Sequence, residues 1–175
     1  AVNDAPTISN GATVALASTT EDVTSSATTV STILSGASWA DVDSGALSGI
    51  AVTSRSGNGT WQYSTDGVTW TAFGTVSGSS ALLLSSATQV RYVPDGSNGE
   101  TASFAFVAWD QSSGTASANG APSTGNPGAG GGTTAYSSQA ATASMTVTAV
   151  NDAPVLDSSG TPTLTTITED QTTNG

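Results

Sequence analysis

Cysteine, histidine and lysine are absent from the 175 residues. Without cysteine there is no disulfide, no thiol nucleophile and no zinc–thiolate site. Without histidine, Ser-His-Asp and Cys-His catalysis are excluded. Without lysine there is no Schiff-base chemistry, and basic charge is confined to Arg55 and Arg91. Strong helix formers are scarce, with three Glu and one Met. No apolar run approaches the ~20 residues of a membrane-spanning helix. No signal peptide stands at Ala1, so the expectation is a fragment, a processed chain or a signal lying elsewhere.

Ser, Thr, Gly and Ala fill the space left. Thr with Val favours strands, and Gly with Asn and Asp favours turns. The expected fold class is all-β. The length suits one domain with a real core. Thirteen acids against two Arg give a net charge of −11. Such a surface repels phosphate, so nucleic acid and membrane insertion are not expected, whereas divalent cations are attracted.

An internal repeat organises the chain. Ala1-Val2-Asn3-Asp4-Ala5-Pro6 recurs as Ala149-Val150-Asn151-Asp152-Ala153-Pro154, and Thr20-Glu21-Asp22 recurs as Thr168-Glu169-Asp170. Residue 1 to 149 and residue 20 to 168 are the same step of 148. Two motifs sharing one offset mark a unit about one domain long, a bead rather than a solenoid turn. The expectation is one complete repeat over 1–152 and the first strand of the next over 153–175. That strand, with Leu164 and Ile167, cannot bury its apolar face alone.

Short alternating runs predict the strands. Trp61 to Thr65 and Val68 to Ala72 flank Asp66-Gly67, the signal for a two-residue type I′ hairpin. That register pairs Tyr63 with Trp70, and puts Trp61, Tyr63, Val68 and Trp70 on one dry face. Val90 with Tyr92, Phe104 with Phe106 and Ala108, and Met145 with Val147 read as further strands. So do Leu47 with Ile50 and Val52 (with a bulge at Gly49), Val14 with Leu16, Val30 with Ile33 and Leu34, and Leu82 to Leu84. Seven or more short strands predict a two-sheet sandwich. Gln111 to Gln139, rich in Gly and Ser, reads as a long loop insertion. It is no phosphate cradle, because no Lys follows it.

The acids carry the candidate chemistry. Paired carboxylates leave glycoside hydrolysis formally open, but these acids cluster near strand ends, and no enzyme activity is expected. Calcium takes ~6–8 oxygens from carboxylates, Asn and backbone carbonyls. Asn3-Asp4 and Asn151-Asp152 lie in the links between repeats. Asp41 and Asp43 are two residues apart and face one side of an extended segment. Glu21, Asp22 and Asp110 add oxygen, as do the copies Glu169 and Asp170. Ser64 to Trp70 is similar to the Asp-box turn of sialidase-type propellers, one residue short and present once. Its hairpin role makes Asp66 structural.

Val150-Asn151-Asp152-Ala153-Pro154 resembles the end-of-repeat signature of bacterial cadherin-like repeats in large RTX-type surface adhesins. Thr20-Glu21-Asp22, Asp41-Val42-Asp43, Tyr92-Val93-Pro94-Asp95 with Asn98-Gly99, and Ala108-Trp109-Asp110 are similar to that family's internal landmarks. The resemblance covers nearly the whole chain. It implies an immunoglobulin/cadherin-like sandwich, export to the cell surface, and an extender held rigid by calcium at its junctions. It also implies that a junction ion is shared by Glu21, the Asx link and Asp41 with Asp43 of the adjoining unit. No counterpart of the cadherin Asp-Arg-Glu motif is present. The unit exceeds a typical cadherin domain through the 111–139 insertion, which is too short for an inserted ligand-binding module. The implied partners are neighbouring repeats or identical subunits.

Two other functions compete. The segment 155–175 would build a filament if it crossed into a neighbouring molecule by strand addition. Trp39, Trp109 or the long loop would bind surface glycans if the domain were a carbohydrate-binding module.

Overall fold

Apolar residues at every second position build the longest strands. The computed structural model describes residues 2–156, 158–164 and 169–170. In chain order the elements are β1 (Thr13–Ala15), β2 (Thr19–Thr20), β3 (Thr28–Thr29), α1 (Val30–Gly36), β4 (Gly49–Ser56), β5 (Thr60–Ser64), β6 (Thr71–Ala72), β7 (Ala81–Ser85), β8 (Gln89–Val93), β9 (Glu100–Trp109), β10 (Thr124–Gly125) and β11 (Tyr136–Thr148). They form the expected all-β sandwich of two sheets. The larger runs β1-β11-β9-β4-β7-β10, with β2 also on β11, and the smaller runs β3-β8-β5-β6.

The core lies between the sheets. Trp61, Tyr63, Val90 and Tyr92 of the smaller sheet meet Ile50, Val52, Leu82, Leu84, Phe104 and Phe106 of the larger. The Trp61 ring stands edge-on to Phe104 with centroids 4.9 Å apart. β1 and β2 lie parallel to β11 at the sheet edge, where Val14 is buried, and Ile8 is buried where Thr7 bridges Ala40 and Ser9 N donates to Ala37 O.

A second apolar cluster sits on the outer face of the larger sheet. It joins Ala51, Ala81, Leu83, Trp109, Ala135 and Tyr136. The unbroken run Leu82-Leu83-Leu84 is buried on both faces for this reason. Its cover is the segment predicted as a long loop. Leu83 N donates to Ser123 O at 3.0 Å, and Ser117 N donates to Leu83 O at 2.9 Å. This segment therefore contains β10 and runs into the start of β11 at Tyr136. Gly130 allows its last turn: φ is +62°, and a Cβ there would lie 2.2 Å from Ser137 O.

Four local expectations are corrected. Val30, Ile33 and Leu34 lie on α1, not a strand, because they bury one helical face behind an N-cap at Thr29. Leu47 is exposed and precedes β4. The bulge of that strand falls between Val52 and Ser54, not at Gly49. The fourth is the hairpin. Tyr63 pairs with Thr71 and Gln62 with Ala72, one residue away from the predicted register. Asp66 Oδ1 accepts from Val68 N at 2.8 Å and Thr69 N at 2.7 Å, so the connection closes as a wider, carboxylate-capped loop. A one-residue slip reverses the faces. Trp61 and Tyr63 stay in the core, but Val68 is 81% exposed. Trp70 lies under Arg91, whose Cζ is 4.0 Å from the ring centre.

The expected first strand of a next repeat falls on 153–175. No strand is assigned among its described residues, and Leu164 is exposed. Ile167, Thr168 and residues 171–175 lie outside the described residues.

Candidate functional site

β9 sets the two ends of the domain. Its last residue, Trp109, pairs with Tyr136 and Gly49, the first residues of β11 and β4. Its first, Glu100, pairs with Val147 near the end of β11. Ten residues at about 3.4 Å each separate these ends by roughly 30 Å. The chain enters beside Trp109 and leaves beside Glu100. These are the N-terminal and C-terminal poles.

The N-terminal pole gathers five of the predicted site residues. Asn3 Nδ2 donates to Asp110 Oδ2 at 2.8 Å. Asp4 N donates to Asp43 Oδ2 at 2.8 Å. Asp43 N donates in turn to Asp41 Oδ1 at 2.8 Å, closing an Asx turn. Asp110 Oδ1 accepts from Ser112 N at 2.7 Å. Gln111 takes φ +63°, rare for a residue with a side chain, and its Nε2 donates to Ser48 O. That kink turns the chain sharply after Asp110 and ties it to the 41–48 loop. Val2, Asn3, Asp43, Leu47, Asp110 and Ser112 line the open cleft that results.

The C-terminal pole is built on Glu21. This side chain is 2% exposed. Its backbone N donates to Thr148 O at 3.0 Å, and its Oε1 accepts from Val150 N at 2.6 Å. Glu21 thus grips the departing chain just before Asn151 and Asp152, both exposed. Asp22 is exposed beside it, and Glu169 and Asp170 are exposed in the tail.

Orphaned polar atoms mark both poles. Three buried side-chain atoms lack a hydrogen-bond partner among the described residues: Glu21 Oε2, Asp41 Oδ2 and Trp39 Nε1. A buried carboxylate oxygen without a donor is costly, and a cation removes that cost. The donor set of carboxylates, Asn and backbone carbonyls suits a hard cation such as calcium. Yet among the described residues no three acidic side chains converge closely enough to hold an ion. Each end presents carboxylate and Asn oxygens, with one buried carboxylate oxygen lacking a hydrogen-bond partner among the described residues.

Exposed apolar residues follow the same division. Val2, Val42 and Leu47 ring the N-terminal pole, and Val23 and Val150 flank the C-terminal one. Val155, Leu156 and Leu164 belong to the tail, which leaves Val68 alone on the body among the described residues.

The other aromatic candidates have structural roles. Trp109 is fully buried with its Nε1 on Ser113 O, and Trp39 is half-buried against the core. Asp66 sits far below the usual carboxylate range because Val68 N–H, then Thr69 N–H, donate to it. Asp95 is lowered by the Asn98 side chain and the Ser97 N–H. Burial raises Tyr92, and its hydrogen bond to Glu100 adds to the shift. Sequence reasoning missed Val23, Val42 and Val150. Isolated exposed valines carry no signal until the fold places them at the two ends.

The chain matches no protein-family model, no curated protein sequence and no solved structure. No helix among the described residues is long and apolar enough to cross a membrane.

Proposed function

We propose that this chain is a non-catalytic extender unit of a secreted bacterial surface protein, joined end to end with like units and stiffened by calcium at each junction. One observation carries the reading. At each pole a buried carboxylate oxygen has no donor, and each stands beside a copy of the same Asn-Asp motif.

The 148-residue step supplies the geometry of the junction. Asn151 and Asp152 would occupy in a following unit the place that Asn3 and Asp4 occupy here. There they would meet that unit's counterparts of Asp41, Asp43 and Asp110. Glu21 already holds Val150, one residue before Asn151. Its free oxygen and the next unit's acids would then share one ion. The valines at both poles would be covered in the same step, at about 25 cal/mol for each Å² buried. Entry and exit at opposite ends of β9 give a linear array.

Small-angle scattering from two consecutive units tests this. The reading expects a longer, narrower particle in calcium than in chelator. Identical scattering profiles in the two buffers would remove the mechanism.

A further inference from the structure

The outer face of the smaller sheet carries a second constellation, far from the acids of either pole in sequence and in role. Arg91 is the middle residue of β8. Its cross-strand neighbour on β5 is Gln62, whose other neighbour is Ala72 of β6. Arg91 Nε donates to Gln62 Oε1 at 2.9 Å, and the guanidinium covers the Trp70 ring at 4.0 Å. Gln89 lies two residues before Arg91 on the same face.

These contacts fix the plane of the guanidinium while using one of its five N–H donors. No carboxylate and no carbonyl takes the two terminal nitrogens among the described residues. In a chain of 13 acids and two Arg, the fold braces this cation on Gln62 and Trp70 and leaves it without an anion among the described residues. A flat, oriented guanidinium is a two-pronged receptor for a carboxylate.

We propose that Arg91, Trp70, Gln62 and Gln89 form a platform for an acidic sugar, a uronate unit of a polysaccharide. Arg91 takes the carboxylate. The side-chain amides of Gln62 and Gln89 offer donors to the sugar hydroxyls. The indole of Trp70 orients Arg91 and offers its edge to the ring. A net charge of −11 disfavours densely charged polyanions such as acidic peptides, while a single fixed Arg matches one carboxylate.

The proposal is independent of calcium, and its test is run in chelator because uronates also bind that ion. The probe is methyl galacturonoside, a single sugar with one carboxylate, and its methyl ester is the uncharged control. The readout is the Trp70 indole resonance, assigned with Trp70→Phe, together with calorimetry on the whole chain. We expect saturable binding of the free acid, none of the ester, and affinity reduced about tenfold or more by Arg91→Gln. Arg91→Lys keeps the charge but loses the fork and is expected to bind weakly. Melting curves for each variant separate loss of binding from loss of fold. The platform is refuted if the wild type ignores the acid, binds acid and ester alike, or prefers a glutamate peptide. Unchanged binding by a folded Arg91→Gln would refute it equally.

Discussion

In the segment by which the chain enters, Pro6 and Ile8 are buried, Ile8 to 5% exposure, and Leu16, farther along against β11, is half covered. One step of 148 residues later, Pro154 and Leu164 stand in the open and Leu156 is 87% exposed. The two segments share Asn-Asp-Ala-Pro and their spacing of apolar positions. They differ in what lies beside them. The first has β11 to pair with and Gly132, Ala37 and Ala40 to bond; Ala5 N, for instance, donates to Gly132 O at 2.8 Å. Among its described residues, the second is assigned no strand. The same local pattern becomes a docked edge only where a body receives it.

The largest effect should come from removing the receiving contacts of the first copy. Ile8→Ala is expected to cost about 2–4 kcal/mol in denaturant unfolding. Leu156→Ala, its counterpart, is expected to change stability by less than about 0.5 kcal/mol in this chain. Equal losses would mean that the tail is packed as firmly as the front, and the comparison would fail.

The two poles invite a second contrast. Glu21→Gln keeps an acceptor for Val150 N and removes a buried charge. In chelator its stability should fall within about 1 kcal/mol of the wild type. In tandem units it should abolish any rise of Tm with calcium, because the proposed shared ion would lose its charged ligand from the C-terminal side. Asp43→Ala acts from the other side. It also frees Asp4 N, so it should cost about 1 kcal/mol even in chelator. Differential scanning calorimetry in both buffers separates the two outcomes.

The smallest expected effect is a pH response at the 65–70 loop, away from both poles. Asp66 is held below the ordinary range by two backbone donors. A lowered folded pKa means that its contribution is present above the unfolded value near 3.9 and is lost as pH falls through the folded one. The Val68 and Thr69 amide resonances should therefore stay fixed through ordinary Asp titration and move only at more acidic pH. Movement at the usual carboxylate pKa would contradict the capped loop.

Much of the sandwich was legible because period-two patterns such as Phe104-Phe106-Ala108 state which face is buried. The misses have separate causes. Val30, Ile33 and Leu34 carry helical spacing, i, i+3, i+4, in β-branched company, and Thr29 as cap decides the outcome. Asp66-Gly67 signals a tight turn, but the Asp66 carboxylate prefers two donors that a two-residue turn does not offer. The 111–139 segment has no periodicity, and its order comes from Leu83, which needs a cover. At the poles, the family resemblance already set Asn3, Asp4, Asp41 and Asp43 apart from Glu21. The place of Asp110 in the first group was not legible, because the long-range contact from Asn3 Nδ2 to Asp110 Oδ2 fixes it.

The most direct measurement is the melting temperature of two consecutive units in calcium and in chelator, with the single unit beside them. On the proposed function, calcium should raise Tm for the pair and leave the single unit nearly unchanged. A pair that melts at one temperature in both buffers would contradict it.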